Sequence, residues 1–408
     1  MADTVKPRDA NDVEAAVQWA LAERKSIEIV GHGTKRALGR PAQVDATLDL
    51  SGLTGVTLYE PEELVLSARA GTPLAEIEAQ LDAKAQQLAF EPMDYRPLLG
   101  GAAGQATIGG VLAANLAGPR RIKSGAARDH FLGVTAVSGR GETFKSGGRV
   151  VKNVTGYDLC KLLAGSWGTL AAMTDVTVKT LPRPETEATV VVRGLDAERA
   201  CAAMAAAMGS PCDVSGAAHL PAGLAGRAAA DLASGGSVTA LRLEGVAPSV
   251  VHRRGTLEAL LKPFGALASL DAGASPALWR AIRDVVPLAA SGPSGDRMVW
   301  RISTAPVQGA VVARAIAQKA DAEFLHDWAG GLVWAALAPS DDAGAPVVRA
   351  AVAAVGGHAT LIRAPAAVRA AVGAFEPQPD GLAALHKRVK EGFDPQGVLG
   401  PGRMWAGV

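Results

Sequence analysis

The stretch from Gly100 to Gly125 constrains the fold more than any other part of this sequence. It begins GGAAGQATIGGVLAANLAG and continues into the basic segment PRRIKSG. Glycine and alanine leave little side-chain volume, so another backbone segment or a ligand can come close to this tract. Thr107-Ile-Gly-Gly110 precedes a short apolar run that ends at Asn115. This order predicts a helix whose free N–H groups favour an anion such as a diphosphate.

The other glycine clusters do not match the common nucleotide-binding motifs. Gly31-His-Gly-Thr-Lys-Arg36 and Gly139-Arg-Gly-Glu-Thr-Phe144 have Arg and Phe where a dinucleotide-binding GxGxxG motif needs its last glycine. Lys145-Ser-Gly-Gly148 contains the residues of a P-loop in the wrong order. The chain has 47 glycines in 408 residues but no Gly-x-y period, so collagen is excluded. The glycines therefore predict turns and close approaches to a ligand.

Length and charge indicate a globular protein of two or three domains. A chain of 408 residues is too long for one compact core, and the pair Pro182 and Pro184 marks the predicted domain boundary. The 41 basic and 40 acidic residues leave a net charge of +1, which excludes a nucleic-acid binder with a broad basic surface. Three cysteines without a CxxC pair exclude a disulfide framework, and they also exclude an iron–sulfur or zinc site formed by this chain alone.

The same sequence predicts a protein of a reducing compartment. The N-terminal segment MADTVKPRDANDVEAA lacks the apolar core of a signal peptide, and no run of about 18 strongly apolar residues occurs. We therefore expect a cytoplasmic chain without a transmembrane segment. Any contact with the inner membrane would come through a larger complex.

The spacing of apolar residues predicts mixed helices and strands along the chain. An amphipathic helix is predicted over 11–23, with Asn11 as its N-cap, followed directly by strand 26–30. Thr72-Pro73 predicts the start of another helix, with the threonine hydroxyl as its cap. After residue 185, strands alternate with alanine-rich helices, which predicts a second α+β domain with an antiparallel sheet. No internal repeat of fixed period is visible.

Several glycine motifs occur together in one order and identify a family resemblance. They are Gly31-His-Gly-Thr34, the tract 107–129, Lys152-Asn-Val-Thr-Gly-Tyr-Asp-Leu159 and Gly165-Ser-Trp-Gly-Thr-Leu170. This order resembles the FAD-binding domain of the vanillyl-alcohol oxidase and p-cresol methylhydroxylase (PCMH) type flavoproteins. The resemblance covers roughly residues 5–184.

Motifs in the rest of the chain narrow the resemblance. Leu278-Trp279, Trp300-Arg301, Asp327-Trp-Ala-Gly330 and Pro401-Gly-Arg-Met404 make the sequence similar, over nearly its full length, to the FAD-binding subunits of bacterial glycolate oxidase, the GlcE type. The resemblance implies an α+β protein of three parts. These are a PCMH-type FAD-binding domain of two subdomains over 1–184, a smaller α+β cap with an antiparallel, ferredoxin-like sheet over 185–381, and a segment 382–408 that returns to the FAD domain.

The resemblance implies FAD as a non-covalent cofactor. The positions that match the family's cofactor motifs are Gly31, His32, Gly33, Thr34, Lys35, Thr107, Ile108, Gly109, Gly110, Asn115, Gly118, Arg120, Gly125, Arg128, Asp129, Gly165, Gly168 and Thr169. Relatives with covalent flavin attach it through a histidine whose position here is Thr34, whereas His32 occupies a Gly or Ala site. In the tract usually written GSEGTLG, Trp167 replaces the acid. For Arg128, a bond to the cofactor and an ion pair with Asp129 remain equally open.

No catalytic residue and no metal site follow from the sequence. The related catalytic subunits and D-lactate dehydrogenases carry an HxGDGNxH-like motif for the 2-hydroxy acid, and this motif is missing here. Several histidines stand alone, without a second ligand at metal-binding spacing, namely His219, His252, His326, His358 and His386. The pair His326-Asp327 is the one candidate for acid–base chemistry, and its other interpretation is a loop before a buried Trp328.

The resemblance also implies a role within a complex. Such a chain would be the FAD-binding subunit of a multisubunit glycolate oxidase or dehydrogenase, which converts glycolate to glyoxylate. It would relay electrons from a paralogous catalytic FAD subunit to an iron–sulfur subunit. Two alternatives remain open. A self-sufficient FAD-dependent 2-hydroxy-acid dehydrogenase would oxidise D-lactate or glycolate as an isolated chain, and a flavin-free structural subunit would be colourless.

Overall fold

The computed structural model describes residues 3–101, 104–149, 156–232 and 236–406. The motif segment 152–155 therefore lies outside the described residues. Helices alternate with largely antiparallel sheets, which confirms the α+β class. None of the helices in these ranges has the length and apolar composition needed to cross a bilayer.

The chain begins with a small parallel sheet covered by one helix. The elements are β1 (Asp3–Val5), α1 (Ala10–Ala22), β2 (Ile27–Val30) and β3 (Ala46–Asp49). The strands are parallel in the order β1-β3-β2. The predicted N-cap Asn11 is wrong, because the helix begins after Asp9, whose carboxylate accepts a hydrogen bond from the N–H of Asp12. Val13 and Val17 of α1 are buried against Ile27 and Leu48 of the sheet.

A five-stranded antiparallel sheet follows. Its strands are β4 (Val56–Glu60), β5 (Val65–Arg69), β7 (Phe131–Ser138), β8 (Thr143–Gly147) and β9 (Ala171–Lys179), in the order β4-β5-β9-β7-β8. A two-stranded ladder joins β6 (Gln86–Gln87) and β10 (Leu181–Pro182). The helices are α2 (Leu74–Asp82), α3 (Arg96–Leu99), α4 (Ile108–Ala113), α5 (Arg121–Ser124), α6 (Ala127–His130) and α7 (Leu159–Leu163).

Thr72 does not cap helix α2 as predicted. Pro73 is the N-cap residue and makes no side-chain cap bond. The hydroxyl of Thr72 instead donates to the carbonyl of Arg69 at 2.7 Å and accepts from the N–H of Gly55 at 3.0 Å. The hydroxyl therefore fixes the turn after β5, because both of its partners precede the helix.

The C-terminal part contains an eight-stranded antiparallel sheet. Its strands are β11 (Thr186–Arg193), β12 (Gly216–Leu220), β13 (Val238–Gly245), β14 (Ala266–Leu270), β15 (Met298–Ser303), β16 (Ala322–Asp327), β17 (Leu332–Leu337) and β18 (His358–Arg363). The helices are α8 (Ala197–Met208), α9 (Ala222–Ala228), α10 (Ala247–Leu261), α11 (Ser275–Arg283), α12 (Gly309–Ala317), α13 (Ala345–Val355), α14 (Ala366–Ala371) and α15 (Asp380–Phe393).

This cap sheet consists of two βαββαβ units side by side. The first pairs its strands in the order β14-β11-β13-β12, and the second in the order β16-β17-β15-β18. In both units the first and third strands lie at the centre, which is the ferredoxin-like arrangement and confirms the predicted antiparallel cap. The units join where His219 of β12 pairs with His326 of β16.

Four charged residues connect the cap to the N-terminal part. Arg242 donates to both carboxylate oxygens of Glu91, each at 2.8 Å, and Arg120 donates to both oxygens of Glu244 at 3.0 and 2.8 Å. Glu91 and Arg120 precede the predicted boundary, whereas Arg242 and Glu244 lie on β13. Paired, hydrogen-bonded charges tolerate burial far better than single ones, so this network fixes how the cap sheet contacts the N-terminal part.

The C-terminal segment returns to the first sheets. Nζ of Lys390 donates to the carbonyls of Thr169 and Leu399, both at 2.7 Å, and also pairs with Asp394. Leu399 forms an isolated parallel bridge with Ile27 of β2. These contacts connect 390–399 with the N-terminal part, while the domain boundaries after residues 184 and 381 stay predictions.

Candidate functional site

A cavity lies between the parallel sheet and the five-stranded sheet. Its walls are the loop after β2, the N-terminal half of α4, the turn before β9 and one arginine from the C-terminal segment. The residues that line it are Ile29, Val30, Gly31, His32, Gly33, Thr34, Lys35, Arg36, Leu50, Ala70, Thr107, Gly109, Gly110, Ala113, Ala114, Trp167, Gly168, Ala171, Met173 and Arg403. We call this the first cavity.

The loop after β2 offers backbone donors to the first cavity. Within the described residues, the N–H groups of His32, Gly33, Thr34 and Lys35 donate to no protein acceptor. Gly33 has φ +69°, a conformation that favours glycine. Four consecutive free N–H groups in a loop suit an anion with several oxygens, such as a diphosphate.

The two glycine tracts pack against each other without room for side chains. A Cβ atom on Gly31 would lie 2.5 Å from the hydroxyl oxygen of Thr107, and one on Gly109 would lie 2.8 Å from the carbonyl oxygen of Ala70. Such distances are well below van der Waals contact. The glycines therefore allow the two subdomains to approach across the cavity floor.

The start of α4 does not present free N–H groups as predicted. The N–H of Ile108 donates to the carbonyl of Thr72 at 3.0 Å, and the N–H of Gly109 donates to the carbonyl of Ala70 at 2.8 Å. The N–H of Gly110 donates to the hydroxyl of Thr107 at 3.2 Å. These donors already have protein acceptors, whereas the loop after β2 keeps free N–H groups.

Two cations without a carboxylate partner line the same cavity. Lys35 and Arg403 form no ion pair within the described residues, and Arg403 donates to the carbonyl of Lys35 at 3.1 Å. Burial, with a contribution from Arg403 and Arg96, lowers the pKa of Lys35 to about 8. An arriving anion would supply the negative charge that these side chains lack.

The predicted cofactor residues fall into two groups. Those that line the first cavity are Gly31, His32, Gly33, Thr34, Lys35, Thr107, Gly109, Gly110 and Gly168. Asn115 lines a neighbouring cavity. The remaining predicted residues line neither cavity: Ile108, Gly118, Arg120, Gly125, Arg128, Asp129, Gly165 and Thr169.

The second group has contacts inside the protein. Arg120 belongs to the interdomain ion network, and the carbonyl of Gly118 accepts a hydrogen bond from the indole of Trp328 at 3.0 Å. Asp129 accepts from the N–H of Ala126 at 2.8 Å. Within the described residues Arg128 forms no ion pair with Asp129 or another acid and does not line the first cavity, so its contact with the cofactor stays a prediction. These residues hold together the elements behind the cavity.

A second cavity adjoins the first on the cap side, and both share Ala114 and Trp167 as wall residues. The second cavity has a volume of about 100 Å³. Its lining residues are Met93, Tyr95, Ala114, Asn115, Leu116, Ala117, Trp167, Arg301, Thr360, Ile362 and Phe375. Among the described residues, its lining includes one cation and no carboxylate.

His326 and Asp327 line neither cavity, so they do not form an acid–base pair at this site. Both side chains are buried. The carboxylate of Asp327 accepts from the N–H of Trp328 at 2.7 Å, and burial raises the pKa of Asp327 to about 7. Burial also lowers the pKa of His326 to about 4. The second interpretation of this pair, a turn before a buried tryptophan, agrees with these contacts.

Sequence reasoning missed several wall residues. Arg403 enters the first cavity from the last turn of the described chain, and Trp167 separates the two cavities. The motif Pro401-Gly-Arg-Met404 supported the family resemblance, but nothing in it indicates which distant loop it contacts. The described residues contain no group of three or more His, Cys, Asp or Glu placed to hold a metal ion.

Comparison with known proteins now identifies the family. Residues 2–147 match the family described as FAD binding domain. The chain is 33% identical over 392 residues to the glycolate oxidase subunit GlcE of Escherichia coli (strain K12), covering 96% of this chain and 95% of that protein. This chain belongs to the GlcE family. FAD is its cofactor, and the loop donors and unpaired cations of the first cavity fit the diphosphate of that group.

Other relatives of this GlcE-family chain match only part of it or only its fold. The glycolate oxidase subunit GlcD of Bacillus subtilis (strain 168) is 27% identical over 188 residues, covering 46% of this chain and 38% of GlcD. A crystal structure of p-cresol methylhydroxylase with substrate bound superimposes with a TM-score of 0.73 at 14% identity, covering 99% of this chain and 88% of that one. The fold is therefore of the PCMH type, as expected.

Proposed function

We propose that this chain is the FAD-binding subunit of a multisubunit glycolate oxidase, which converts glycolate to glyoxylate. In this proposal it passes electrons from a paralogous catalytic flavoprotein subunit to an iron–sulfur subunit. Similarity to GlcE over nearly the whole chain supports the assignment, and the partial similarity to GlcD supports a paralogous partner. FAD suits a relay because, when bound, it accepts two electrons together and can release them singly.

We further propose which parts of the chain hold the cofactor. Residues 1–184 would bind FAD, 185–381 would cap it, and 382–408 would complete the site through Arg403. The N–H groups of His32 to Lys35 would contact the diphosphate, together with the side chains of Lys35 and Arg403. The flavin would reach towards the second cavity, past Trp167.

The chemistry of the cavity walls carries the relay proposal. Oxidation of a 2-hydroxy acid needs a base for the hydroxyl proton. Among the described residues that line the two cavities there is no carboxylate, and the one histidine is His32. Its Nδ1 lies 3.0 Å from the carbonyl of Gln105, on the diphosphate side of the first cavity. The described walls can thus hold a flavin, and no histidine or carboxylate among them lies beside the second cavity.

Purified holoprotein is expected to be yellow, to release its flavin on acid precipitation, and to stay oxidised with glycolate under anaerobic conditions. Release is expected because Thr34 stands where covalent relatives have a histidine. Visible absorption spectra before and after each step measure both properties. Bleaching by glycolate would instead support a self-sufficient 2-hydroxy-acid dehydrogenase, and a protein that stays colourless after reconstitution with FAD would support the structural subunit.

FAD affinity is expected to fall roughly tenfold between pH 7 and pH 9. The pKa of Lys35 is about 8 without an anion, and a bound diphosphate favours the protonated amine. The affinity for FAD is therefore constant at pH values below the pKa of Lys35 and decreases as the pH rises through it. The decrease equals the ratio of the protonated fractions of Lys35 at the two pH values. Fluorescence titration of the flavin-free protein measures the dissociation constant.

Two variants separate this effect from general pH sensitivity. Lys35→Met is expected to bind FAD weakly at both pH values, because the cation is missing. Lys35→Arg is expected to bind it well at both, since a guanidinium stays protonated. A tenfold pH effect that survives in Lys35→Met would rule out Lys35 as its source.

A further inference from the structure

Arg301 lacks the partners that a guanidinium normally has inside a protein. Within the described residues its guanidinium donates no hydrogen bond and has no carboxylate at ion-pair distance. Its recorded contact is with the ring of Trp328, whose centroid lies 4.9 Å from its Cζ. Burial and the nearby Arg121 lower the pKa of Arg301, although Tyr95 and Asp327 act in the opposite direction. An enclosed cation of this kind favours an anion that is not part of the chain.

The strand geometry directs Arg301 into the second cavity. Its neighbours on β15, Trp300 and Ile302, are fully buried, and Trp300 donates to the carbonyl of Ala343 on the opposite face of the sheet. Arg301 therefore lies on the face towards the N-terminal part. It pairs with Thr360 of β18, so the guanidinium and a hydroxyl stand side by side in the cavity wall.

The other walls combine free hydrogen-bonding groups with apolar surface. Tyr95 is buried, and within the described residues its hydroxyl makes no hydrogen bond. Oδ1 of Asn115 accepts from the N–H of Arg128 at 2.9 Å, which leaves its NH₂ group free. Met93, Leu116, Ile362 and Phe375 complete the walls.

The volume indicates a small ligand. A cavity of about 100 Å³ is several times the roughly 10–15 Å³ that a single water needs, so it has room for a small molecule. One cation, three neutral hydrogen-bonding groups and apolar walls match a short acid with one carboxylate and a neighbouring oxygen.

We propose that Arg301, Tyr95, Thr360 and Asn115 form a binding site for a small 2-hydroxy or 2-oxo carboxylate, which this chain holds without oxidising it. The guanidinium binds the carboxylate through charge-assisted hydrogen bonds. The hydroxyls of Tyr95 and Thr360 and the amide of Asn115 contact the neighbouring oxygen. No histidine or carboxylate lines this cavity within the described ranges, and in this proposal the ligand stays unreacted. The inference rests on the proposed function, since it places this site beside the cofactor of the relay subunit.

Two titrations of the full chain test the site. In the first, glycolate is added anaerobically to the holoprotein, and changes of the flavin absorption bands are recorded. In the second, calorimetry measures glycolate binding directly, with or without flavin. Saturable binding is expected for glycolate and not for neutral glycolamide, which lacks the carboxylate.

Variants assign the binding to Arg301. Arg301→Met is expected to weaken glycolate binding at least tenfold, because a charge-assisted bond is lost, whereas Arg301→Lys keeps part of it. Tyr95→Phe is expected to have a smaller effect. Arg280→Met is the matched control, since Arg280 is exposed on α11 and lines neither cavity. Circular dichroism confirms that each variant is folded.

The possible results distinguish failure of this binding site from failure of the proposed function. A protein without flavin that still binds glycolate through Arg301 would overturn the relay role and keep this site. Bound flavin with no calorimetric signal for glycolate, or equal binding by Arg301→Met and Arg280→Met, would overturn the site. Bleaching of the flavin by glycolate would overturn the claim that the ligand stays unreacted.

Discussion

Replacing Arg242 by alanine is expected to lower the free energy of unfolding by about 3–5 kcal/mol, because it leaves buried carboxylates without their partner. Only 1% of the Arg242 side chain is exposed. Its guanidinium binds Glu91 through two hydrogen bonds and lies 4.6 Å from the ring centroid of Trp279. Within the described residues, Glu91 and Glu244 would keep Arg120 as the one cation at ion-pair distance. Urea unfolding followed by circular dichroism measures the change.

The matched control is Arg314→Ala. Arg314 pairs with Glu198, but both side chains are more than half exposed, so their pair contributes at most about 1 kcal/mol. If Arg242→Ala lowers the free energy of unfolding no more than Arg314→Ala does, the buried ion network does not stabilise the fold as proposed.

The pH dependence of the stability difference between wild type and Arg242→Ala gives a second check. Burial by itself would raise the pKa of Glu91, yet Arg242 and Arg120 lower it to about 2. A carboxyl group with a lower pKa in the folded than in the unfolded state stabilises the folded state at pH values above its unfolded pKa. This stabilisation is lost as the pH falls towards the folded pKa. The difference in the free energy of unfolding between wild type and Arg242→Ala is therefore expected to decrease as the pH falls from about 4.5 to about 2.

Gly31→Ala is expected to weaken FAD binding roughly 5- to 150-fold, which corresponds to about 1–3 kcal/mol of overpacking. The new Cβ would lie 2.5 Å from the hydroxyl oxygen and 2.9 Å from Cγ2 of Thr107. Thr107 has little freedom to move, because its hydroxyl accepts from the N–H of Gly110 and its χ1 is restricted. The loop after β2 must therefore shift, and its free N–H groups move with it. Fluorescence titration with FAD measures the loss.

Gly255→Ala is the control for this glycine. Gly255 lies in α10 and is exposed, and a Cβ there would have no heavy atom within 4 Å. Alanine favours a helix over glycine, so we expect unchanged FAD affinity and equal or slightly higher stability. Equal FAD affinity for Gly31→Ala and Gly255→Ala would show that the close approach of the two loops does not shape the cofactor site.

Local sequence signals predicted some elements well and failed where a distant partner was decisive. Strand 26–30 is predicted from its own alternation, and the structure places β2 at Ile27–Val30. The cap at Thr72 is wrong because its hydroxyl bonds to Gly55 and Arg69, which local pattern does not reveal. The free N–H groups expected at the start of α4 are likewise taken by Ala70 and Thr72, and only the packing of two segments shows this.

The two βαββαβ units also escaped the sequence analysis. Corresponding strands β11 and β15 begin at Thr186 and Met298, whereas β14 and β18 begin at Ala266 and His358. The spacing therefore differs from one strand pair to the next, and no fixed period exists. The repeat becomes visible through strand order alone.

The sequence by itself determined the α+β class, the FAD-binding family and the glycine loop at Gly31, because each depends on the types and order of nearby residues. Only the tertiary structure decided that Arg403 reaches the first cavity and that Arg120 belongs to an ion network. It also decided that the guanidinium of Arg301 has no hydrogen-bond acceptor or carboxylate partner within the described residues. The physical reason is that the pairing and burial of a charged side chain depend on which residues from distant parts of the chain pack against it. A single sequence does not give the spatial distances between such residues.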